Sequence, residues 1–383
     1  MRFEFATAGR ILFGPGSRTE LPALAAELGR RALLVTDSPE RGAWLVEDLH
    51  TQGLSVELFL IDHEPDIATI LRLTQAVKTL ARDLLIGLGG GSAIDSAKAA
   101  AALAANPHDP LHYLEVVGAG QPLVETSLPC IAVPTTAGTG AEVTRNAVIA
   151  IPEQRVKVSL RSPYLLPRLA LVDPELTLSL PPALTASTGM DALTQVLEPF
   201  VCNAPSPLTD ALCRDALSRV GHALPQAYAH GSALAARQDM ALVSLYGGLA
   251  LANARLGAVH GLAAPLGGMY SAPHGAVCAR LLPLVMQANL NALRTRQPDA
   301  PALARYAEAA RLLTGNPQAR LEDGIDFIQR LCQEMEIRPL GEFGLRREDL
   351  PLLVAQAGKA SSMKGNPIQL TADELGWILS QAC

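Results

Sequence analysis

The stretch GLGGGSAIDSAKA, residues 87–99, joins an apolar run to a helical pattern. Glycines at a strand-to-helix junction let backbone N–H groups approach an anion, and the first turn of the helix adds a partial positive charge. The loop departs from the GxGxxG pattern, because Ser92 stands where the last glycine would be and the loop follows the third predicted strand. A bound diphosphate is one interpretation, and a tight turn without a ligand is the other.

Outward from this loop, short β-rich runs alternate with helix-length stretches. The runs are residues 32–36 (ALLVT), 54–61 (LSVELFLI), 84–88 (LLIGL) and 130–134 (CIAVP). Strands that alternate with helices form a parallel sheet with helices on both faces. The N-terminal part is therefore predicted to be an α/β nucleotide-binding domain with a Rossmann-like parallel sheet.

The second half of the sequence has long helical periodicities and few β-branched runs. These periodicities cover residues 206–222, 237–254, 302–314 and 321–336. The segment DPELTLSLPP, residues 173–182, separates the halves, because its prolines interrupt regular structure and Pro182 suits the first turn of a helix. We predict an α/β domain at residues 1–179 and an all-α domain at residues 180–383.

Composition limits the classes of partner. The 383 residues are 49% hydrophobic and 18% charged, with a net charge of −6 and no basic run, which disfavours nucleic acid as a partner. Six cysteines without CxxC spacing fit a reducing compartment. The sequence shows no secretion signal and no run of about 18 uncharged apolar residues. We therefore expect a cytoplasmic protein without a membrane partner.

Two further features of the first half are typical of nucleotide sites. The loop PTTAGTGAE, residues 134–142, follows an apolar strand and offers the hydroxyls of Thr135, Thr136 and Thr139, which could bind a ribose or an amide. Asp37 follows the first predicted strand, where a carboxylate can accept hydrogen bonds from ribose hydroxyls and repel a 2′-phosphate. This favours NAD over NADP. The alternatives are a polar turn for the loop and a helix N-cap for Asp37.

The helical half contains a carboxylate and two imidazoles in segments of suitable chemistry. Asp191 and Gln195 lie four residues apart in GMDALTQVLEPFV, so they share one face of a predicted helix. His260 and His274 flank a stretch that contains proline and glycine. One carboxylate and two imidazoles suit Zn²⁺ or Fe²⁺, with positions left for substrate. Histidines that are only hydrogen-bonded within the fold are the alternative.

Taken together, these segments resemble the iron-containing (group III) alcohol dehydrogenase family, which has a dehydroquinate synthase-like fold. The matching segments are GGGSAIDSAK, PTTAGTGAEVTRNAVI, LVDPELTLSLPP, GMDALTQVLEPFV, HGLAAPLGGMYSAPHG and SMKGNPIQLT. The resemblance implies an NAD(H)-dependent oxidoreductase that interconverts a small alcohol and its aldehyde or ketone. It also implies dimerisation, as in many members.

The resemblance assigns roles to individual residues. Asp95 matches an acid near the reactive end of the cofactor, and His260 and His274 belong to the catalytic site. Asp191, Gln195, His260 and His274 occupy the four metal-ligand positions, for Fe²⁺ or Zn²⁺. The residues that match cofactor-binding positions are Asp37, Gly89, Gly90, Gly91, Ser92, Thr135, Thr136, Thr139, Val148 and Lys157.

Two departures from the family pattern bear on the metal. Gln195 stands where the family usually has a histidine ligand, and Ala264 replaces a second histidine near the substrate. An amide oxygen is a poorer ligand than imidazole, so metal dependence stays open. The alternatives are a maleylacetate reductase-like enzyme that reduces an activated double bond or keto acid without metal, a dehydroquinate synthase-like lyase, and a binding protein that has lost catalysis.

Overall fold

The computed structural model describes residues 2–383, with eight strands and fourteen α-helices in that part of the chain. The strands are β1 (Ile11–Phe13), β2 (Arg31–Thr36), β3 (Ser55–Leu60), β4 (Leu84–Gly89), β5 (Cys130–Pro134), β6 (Asn146–Ile151), β7 (Val156–Arg161) and β8 (Leu169–Val172). The helices of the first half are α1 (Leu21–Leu28), α2 (Pro39–Thr51), α3 (Ile67–Thr79), α4 (Gly91–Ala105) and α5 (Pro110–Tyr113).

The helices of the second half are α6 (Pro182–Val201), α7 (Pro207–Ala229), α8 (Leu234–Asn253), α9 (Ala258–Met269), α10 (His274–Arg296), α11 (Pro301–Thr314), α12 (Leu321–Glu334), α13 (Leu350–Ala357) and α14 (Ala372–Ala382). The helical region and the four strands read from the sequence are confirmed. Proline occupies the first turn of α6, as predicted for Pro182. The all-helical second half follows from its apolar stripes, which recur at the helical period.

Six strands form one parallel sheet in the order β1-β8-β5-β4-β2-β3. Strands β4 and β5 are buried along their whole length, as expected where helices cover both faces of a parallel sheet. The parallel sheet was predicted, whereas its short members β1 and β8 were not. The sheet places the carboxyl ends of β2, β4 and β5 side by side, because these strands are neighbours.

An antiparallel hairpin, β6–β7, lies outside this sheet and was not predicted. One of its faces is buried through Ala147, Ile149 and Leu160, whereas Val148 is 39% exposed on the other face. The hairpin turns at Arg155, whose backbone is left-handed with a φ of 53°. Buried and more exposed side chains alternate along these strands, which is the usual pattern of an antiparallel pair with one face toward solvent.

The chain divides into two compact units. One contains residues 6–136 and 140–177, and the other contains residues 178–383 together with residues 2–5 and 137–139. The loop at residues 137–139 thus belongs to the helical unit, although it lies within the α/β part of the sequence. A single boundary in the sequence therefore does not separate the two units. Within that unit, α6 is buried almost throughout.

One helix in the described part of the chain, α10, is long and apolar enough to cross a membrane by length and composition. Its most apolar window is 78% buried inside the fold. Helices α8 and α9 also pass this test as a pair, but they meet at a bend of 97°. The burial of α10 is that of a core helix.

Candidate metal centre and cofactor-binding loops

Three predicted ligands come together in the helical unit, with a cysteine that the sequence reading did not single out. Asp191 lies in the middle of α6, His260 in the first turn of α9, and His274 begins α10 with Cys278 one turn later. One ligand atom from each of these four residues lies within 4.8 Å of all the others. The cluster therefore has the residue types and the spacing of a metal centre.

Two atoms of this cluster are buried without a hydrogen-bond partner. They are Asp191 Oδ1 and His260 Nε2, which lie 3.5 Å apart. Leaving a buried carboxylate oxygen and an imidazole nitrogen unsatisfied is costly. A divalent cation between them would satisfy both atoms, so the residues present fit the metal ion that the sequence predicted.

Glu198 contacts His260 of the cluster, and the sequence analysis did not identify it as a site residue. Its Oε2 lies 2.6 Å from His260 Nδ1, and its Oε1 accepts a hydrogen bond of 2.7 Å from the Val259 N–H. Metal-binding histidines commonly donate their second N–H to a carboxylate, which fixes the tautomer. A signal was available, because Glu198 follows Asp191 by seven residues and so lies on the same face of α6.

The electrostatics of this cluster favour a cation. Burial alone lowers the pKa of His260, but the adjacent carboxylates of Asp191 and Glu198 raise it to about 10. Burial acts to raise the pKa of Asp191, yet His274 and His260 keep it below its usual value. Burial and the two carboxylates raise the pKa of the Cys278 thiol well above its usual value. These shifts describe a strongly negative pocket that holds a proton where no ion is bound.

Gln195 is buried near these residues, one turn after Asp191. Its Nε2 donates a hydrogen bond of 2.6 Å to the backbone carbonyl of Thr139. One end of the amide is thus used by the loop at residues 137–139. Its predicted role as a metal ligand stays a prediction.

In the other unit, the predicted diphosphate loop joins β4 to the N-terminus of α4. Gly89 has a φ of +155°, and a Cβ there would lie 2.9 Å from Ala93 Cβ, so only glycine fits. No side chain caps α4, whose first residues are Gly91 and Ser92. This is the geometry of an anion-binding helix N-terminus, and the diphosphate remains a prediction.

Asp37 lies beside this loop at the end of β2. Its Oδ2 is 3.5 Å from the Gly90 N–H, and its Oδ1 is 3.1 Å from Nη1 of Arg41. The same guanidinium donates a hydrogen bond of 3.0 Å to Thr135 Oγ1. Ser38, and not Asp37, caps α2. The structure therefore leaves the ribose interpretation of Asp37 standing and removes its N-cap alternative.

Asp95 has intramolecular partners that the sequence reading did not include. Its Oδ1 lies 3.1 Å from Nζ of Lys98, and its Oδ2 accepts a hydrogen bond of 3.0 Å from the Val148 N–H. Lys98 is fully buried and also donates to Thr144 Oγ1 and to the carbonyls of residues 141 and 146. Asp95 thereby joins α4 to β6, while its catalytic role stays a prediction.

The other predicted cofactor contacts lie on the hairpin and on the threonine loop. Val148 and Lys157 are on the paired strands β6 and β7, and Lys157 forms an ion pair with Glu64. Thr136 and Thr139 are half-buried in the loop after β5. Their contacts with a nucleotide stay predictions.

Comparisons with known proteins agree with this fold. The family model described as iron-containing alcohol dehydrogenase matches residues 8–174, and the model of its C-terminal domain matches residues 185–383. Alcohol dehydrogenase 4 of Saccharomyces cerevisiae (strain YJM789) is 35% identical over 359 residues, which is 92% of this chain and 91% of the yeast protein.

Two solved structures share the whole architecture. A 1,3-propanediol oxidoreductase has a TM-score of 0.92 at 32% identity, with all of both chains covered. The sulfoacetaldehyde reductase of Bifidobacterium kashiwanohense, solved in complex with NAD⁺, has a TM-score of 0.87 at 29% identity and covers 99% of this chain and 98% of its own.

The chain therefore belongs to the iron-containing alcohol dehydrogenase family, whose members are oxidoreductases that use NAD and a metal ion. The predicted family, fold class, enzyme class and cofactors are confirmed. The matches to dehydrogenases give no support to the lyase alternative or to the binding protein without catalysis.

Proposed function

We propose that this chain reduces a small aldehyde or oxidises the matching alcohol with NAD(H), using a metal ion held by Asp191, His260 and His274. The observation that carries the proposal is that Asp191 Oδ1 and His260 Nε2 are buried without a hydrogen-bond partner and lie 3.5 Å apart. Bound there, the metal would polarise the substrate oxygen, and NAD(H) would accept or supply the hydride.

The residues of the chain position these groups. Glu198 accepts from His260 Nδ1, so Nε2 is the nitrogen that would give its lone pair to the metal. The His274 side chain is 36% exposed, whereas those of Asp191 and His260 are almost fully buried, so a substrate approaches on the His274 side. In the other unit, Asp37 and the loop at residues 89–92 are proposed to hold the ribose and the diphosphate of NAD.

We extend the proposal to the state of the protein in the cell. All six cysteines are free, and five of them are buried, which supports a cytoplasmic location. The net charge of −6 supports a small-molecule substrate and no nucleic-acid partner. A homodimer is proposed from the family resemblance, and light scattering of the purified protein tests it.

The test is an NADH-oxidation screen over aldehydes, keto acids and maleylacetate, with the metal content of the same sample measured. We expect aldehyde reduction that falls after chelation and returns when metal is added. Asp191→Asn should abolish it, whereas Asp215→Asn, at an exposed ion pair on α7, should not. Full turnover of maleylacetate by metal-free protein would instead support the maleylacetate reductase-like alternative.

A further inference from the structure

Asp191, His260 and His274 supply three ligands to the candidate metal centre. A fourth protein ligand still leaves the ion able to bind substrate, because a catalytic ion can expand to five-coordination. The candidates for a fourth ligand are Cys278, whose Sγ lies within the cluster, and Gln195, which follows Asp191 by one turn of α6. We propose that the fourth ligand is the thiolate of Cys278, and that Gln195 is not a ligand. This inference rests on the proposed function, since it assumes that the centre holds a metal.

The distances match a tetrahedral ion. Zinc bonds of about 2.0–2.3 Å to oxygen, nitrogen and sulfur place ligand atoms about 3.3–3.8 Å apart. Asp191 Oδ1 lies 3.5 Å from His260 Nε2 and 3.7 Å from His274 Nε2. Cys278 Sγ lies 3.6 Å from His274 Nε2. These three edges have the tetrahedral length, and all other pairs lie within 4.8 Å.

Local backbone geometry holds Cys278 in this place. It follows His274 by four residues at the start of α10, so both side chains lie on one face of that helix. Cys278 is completely buried, so its position is set by the packing of the helical core. The ligand pair His274 and Cys278 therefore comes as a unit from one helical turn.

Gln195 is held differently. Its Nε2 donates to the Thr139 carbonyl at 2.6 Å, which fixes the plane of the amide. An amide is also a weak ligand for Zn²⁺ or Fe²⁺, whereas a thiolate is a strong one for Zn²⁺. Gln195 is thereby a residue that ties α6 to the loop at residues 137–139.

The binding step balances in charge and in protons. As the ion enters, the Cys278 thiol and the His260 imidazolium each lose a proton to solvent, so both imidazoles bind as neutral groups. A divalent ion held by one carboxylate and one thiolate is formally neutral. Because sulfur is a soft ligand, the site should hold Zn²⁺ or Co²⁺ more tightly than Fe²⁺.

Cobalt titration of the full-length, chelator-treated protein tests the ligand directly. A cobalt–thiolate bond gives an intense near-ultraviolet charge-transfer absorption that oxygen and nitrogen ligands do not give. We expect this absorption to rise to one equivalent in the natural protein and in Gln195→Ala, and to be missing in Cys278→Ala. The matched control is Cys213→Ala, because Cys213 is an equally buried cysteine of the same unit outside the cluster.

Zinc affinity, measured by competition with a chromophoric chelator, gives a second readout. Cys278→Ala should lose at least about tenfold, since even outer partners of a metal site are worth that much, and Gln195→Ala should lose little. Circular dichroism checks that each variant is folded.

The natural protein alone can overturn the inference. Stoichiometric cobalt binding without charge-transfer absorption would exclude the thiolate, while NADH turnover would leave the proposed function intact. A failure to bind cobalt or zinc at all would also overturn it. NADH turnover by that metal-free protein would then contradict the metal-assisted part of the proposed function as well.

Discussion

Replacing Glu198 by glutamine exchanges one carboxylate oxygen beside His260 for an NH₂ group. This change should weaken metal binding strongly. In the natural protein, the carboxylate accepts from His260 Nδ1–H at 2.6 Å and from the Val259 N–H at 2.7 Å. A glutamine can keep its oxygen on Val259, but its NH₂ group then faces Nδ1. The imidazole must respond by moving its proton to Nε2, the atom that should face the metal.

The magnitude follows from the loss of this tautomer. Outer partners of metal-ligating histidines are worth 10–100-fold in metal affinity, which is about 1.4–2.8 kcal/mol. Glu198→Gln places an N–H donor where the natural protein has an acceptor for His260 Nδ1–H. We therefore expect zinc affinity to fall by about 100-fold. The assay is competition for zinc with a chromophoric chelator at constant pH.

The matched control is Glu308→Gln, at an exposed ion pair with Arg214 in the same unit. It should leave zinc affinity unchanged, because surface pairs contribute little. A Glu198→Gln protein that is folded and binds zinc as tightly as the natural one would refute the orienting role of Glu198.

Three further outcomes are expected in the α/β unit. Asp37→Gly should reduce the preference for NADH over NADPH several-fold. The substitution removes about 1 kcal/mol of repulsion between the carboxylate and a 2′-phosphate, and it leaves Arg41 free to bind that phosphate. Equal catalytic efficiency of the natural enzyme with both cofactors would contradict this prediction. Gly90→Val should weaken NADH binding in calorimetry. It should not unfold the protein, because a Cβ at this position meets only the Thr136 side chain at 3.5 Å. Unchanged NADH affinity would contradict the proposal that this loop binds the diphosphate. Burial raises the pKa of Glu142 from 4.5 to about 7, so the unfolded chain ionises first and this group's contribution to stability is lost as pH rises from 4.5 through 7. Glu142→Gln should therefore gain up to about 3 kcal/mol relative to the natural protein between pH 4 and pH 8 in urea unfolding, and a gap that does not change with pH would contradict the raised pKa.

The sequence predicted the parts of the fold that carry a strong local pattern. Strands β2, β4 and β5 are continuous apolar runs between helical stretches, so their type and parallel pairing could be read directly. Strand β1, at residues 11–13, and strand β8, at residues 169–172, are too short to give a period. They gain their strand conformation from pairing with each other and with β5, which is a tertiary effect.

The candidate site likewise contains residues that the sequence identifies and residues that become apparent only from the tertiary structure. Asp191, His260 and His274 are recognisable because their residue types suit a metal, yet nothing local shows that three separate helices bring them together. Glu198 shares one face of α6 with Asp191, but this spacing indicates a role only when its partner, His260, is known. Lys98 was missed for a similar reason, since three of its four acceptors belong to residues 141, 144 and 146, which are distant in the sequence.

Cys278 and Gln195 are best understood as a pair. An amide on α6 stands where a family imidazole is expected, and by itself that change predicts a weak metal site. The structure places the Cys278 thiol of α10 in the same cluster, and in our proposal it supplies the fourth ligand in place of that imidazole. The cost is electrostatic, because a thiolate adds a second negative charge to the ion and leaves it less able to polarise a substrate oxygen than a set with a neutral fourth ligand. The same centre can therefore bind its metal tightly and still favour substrates whose carbonyl is already electron-poor.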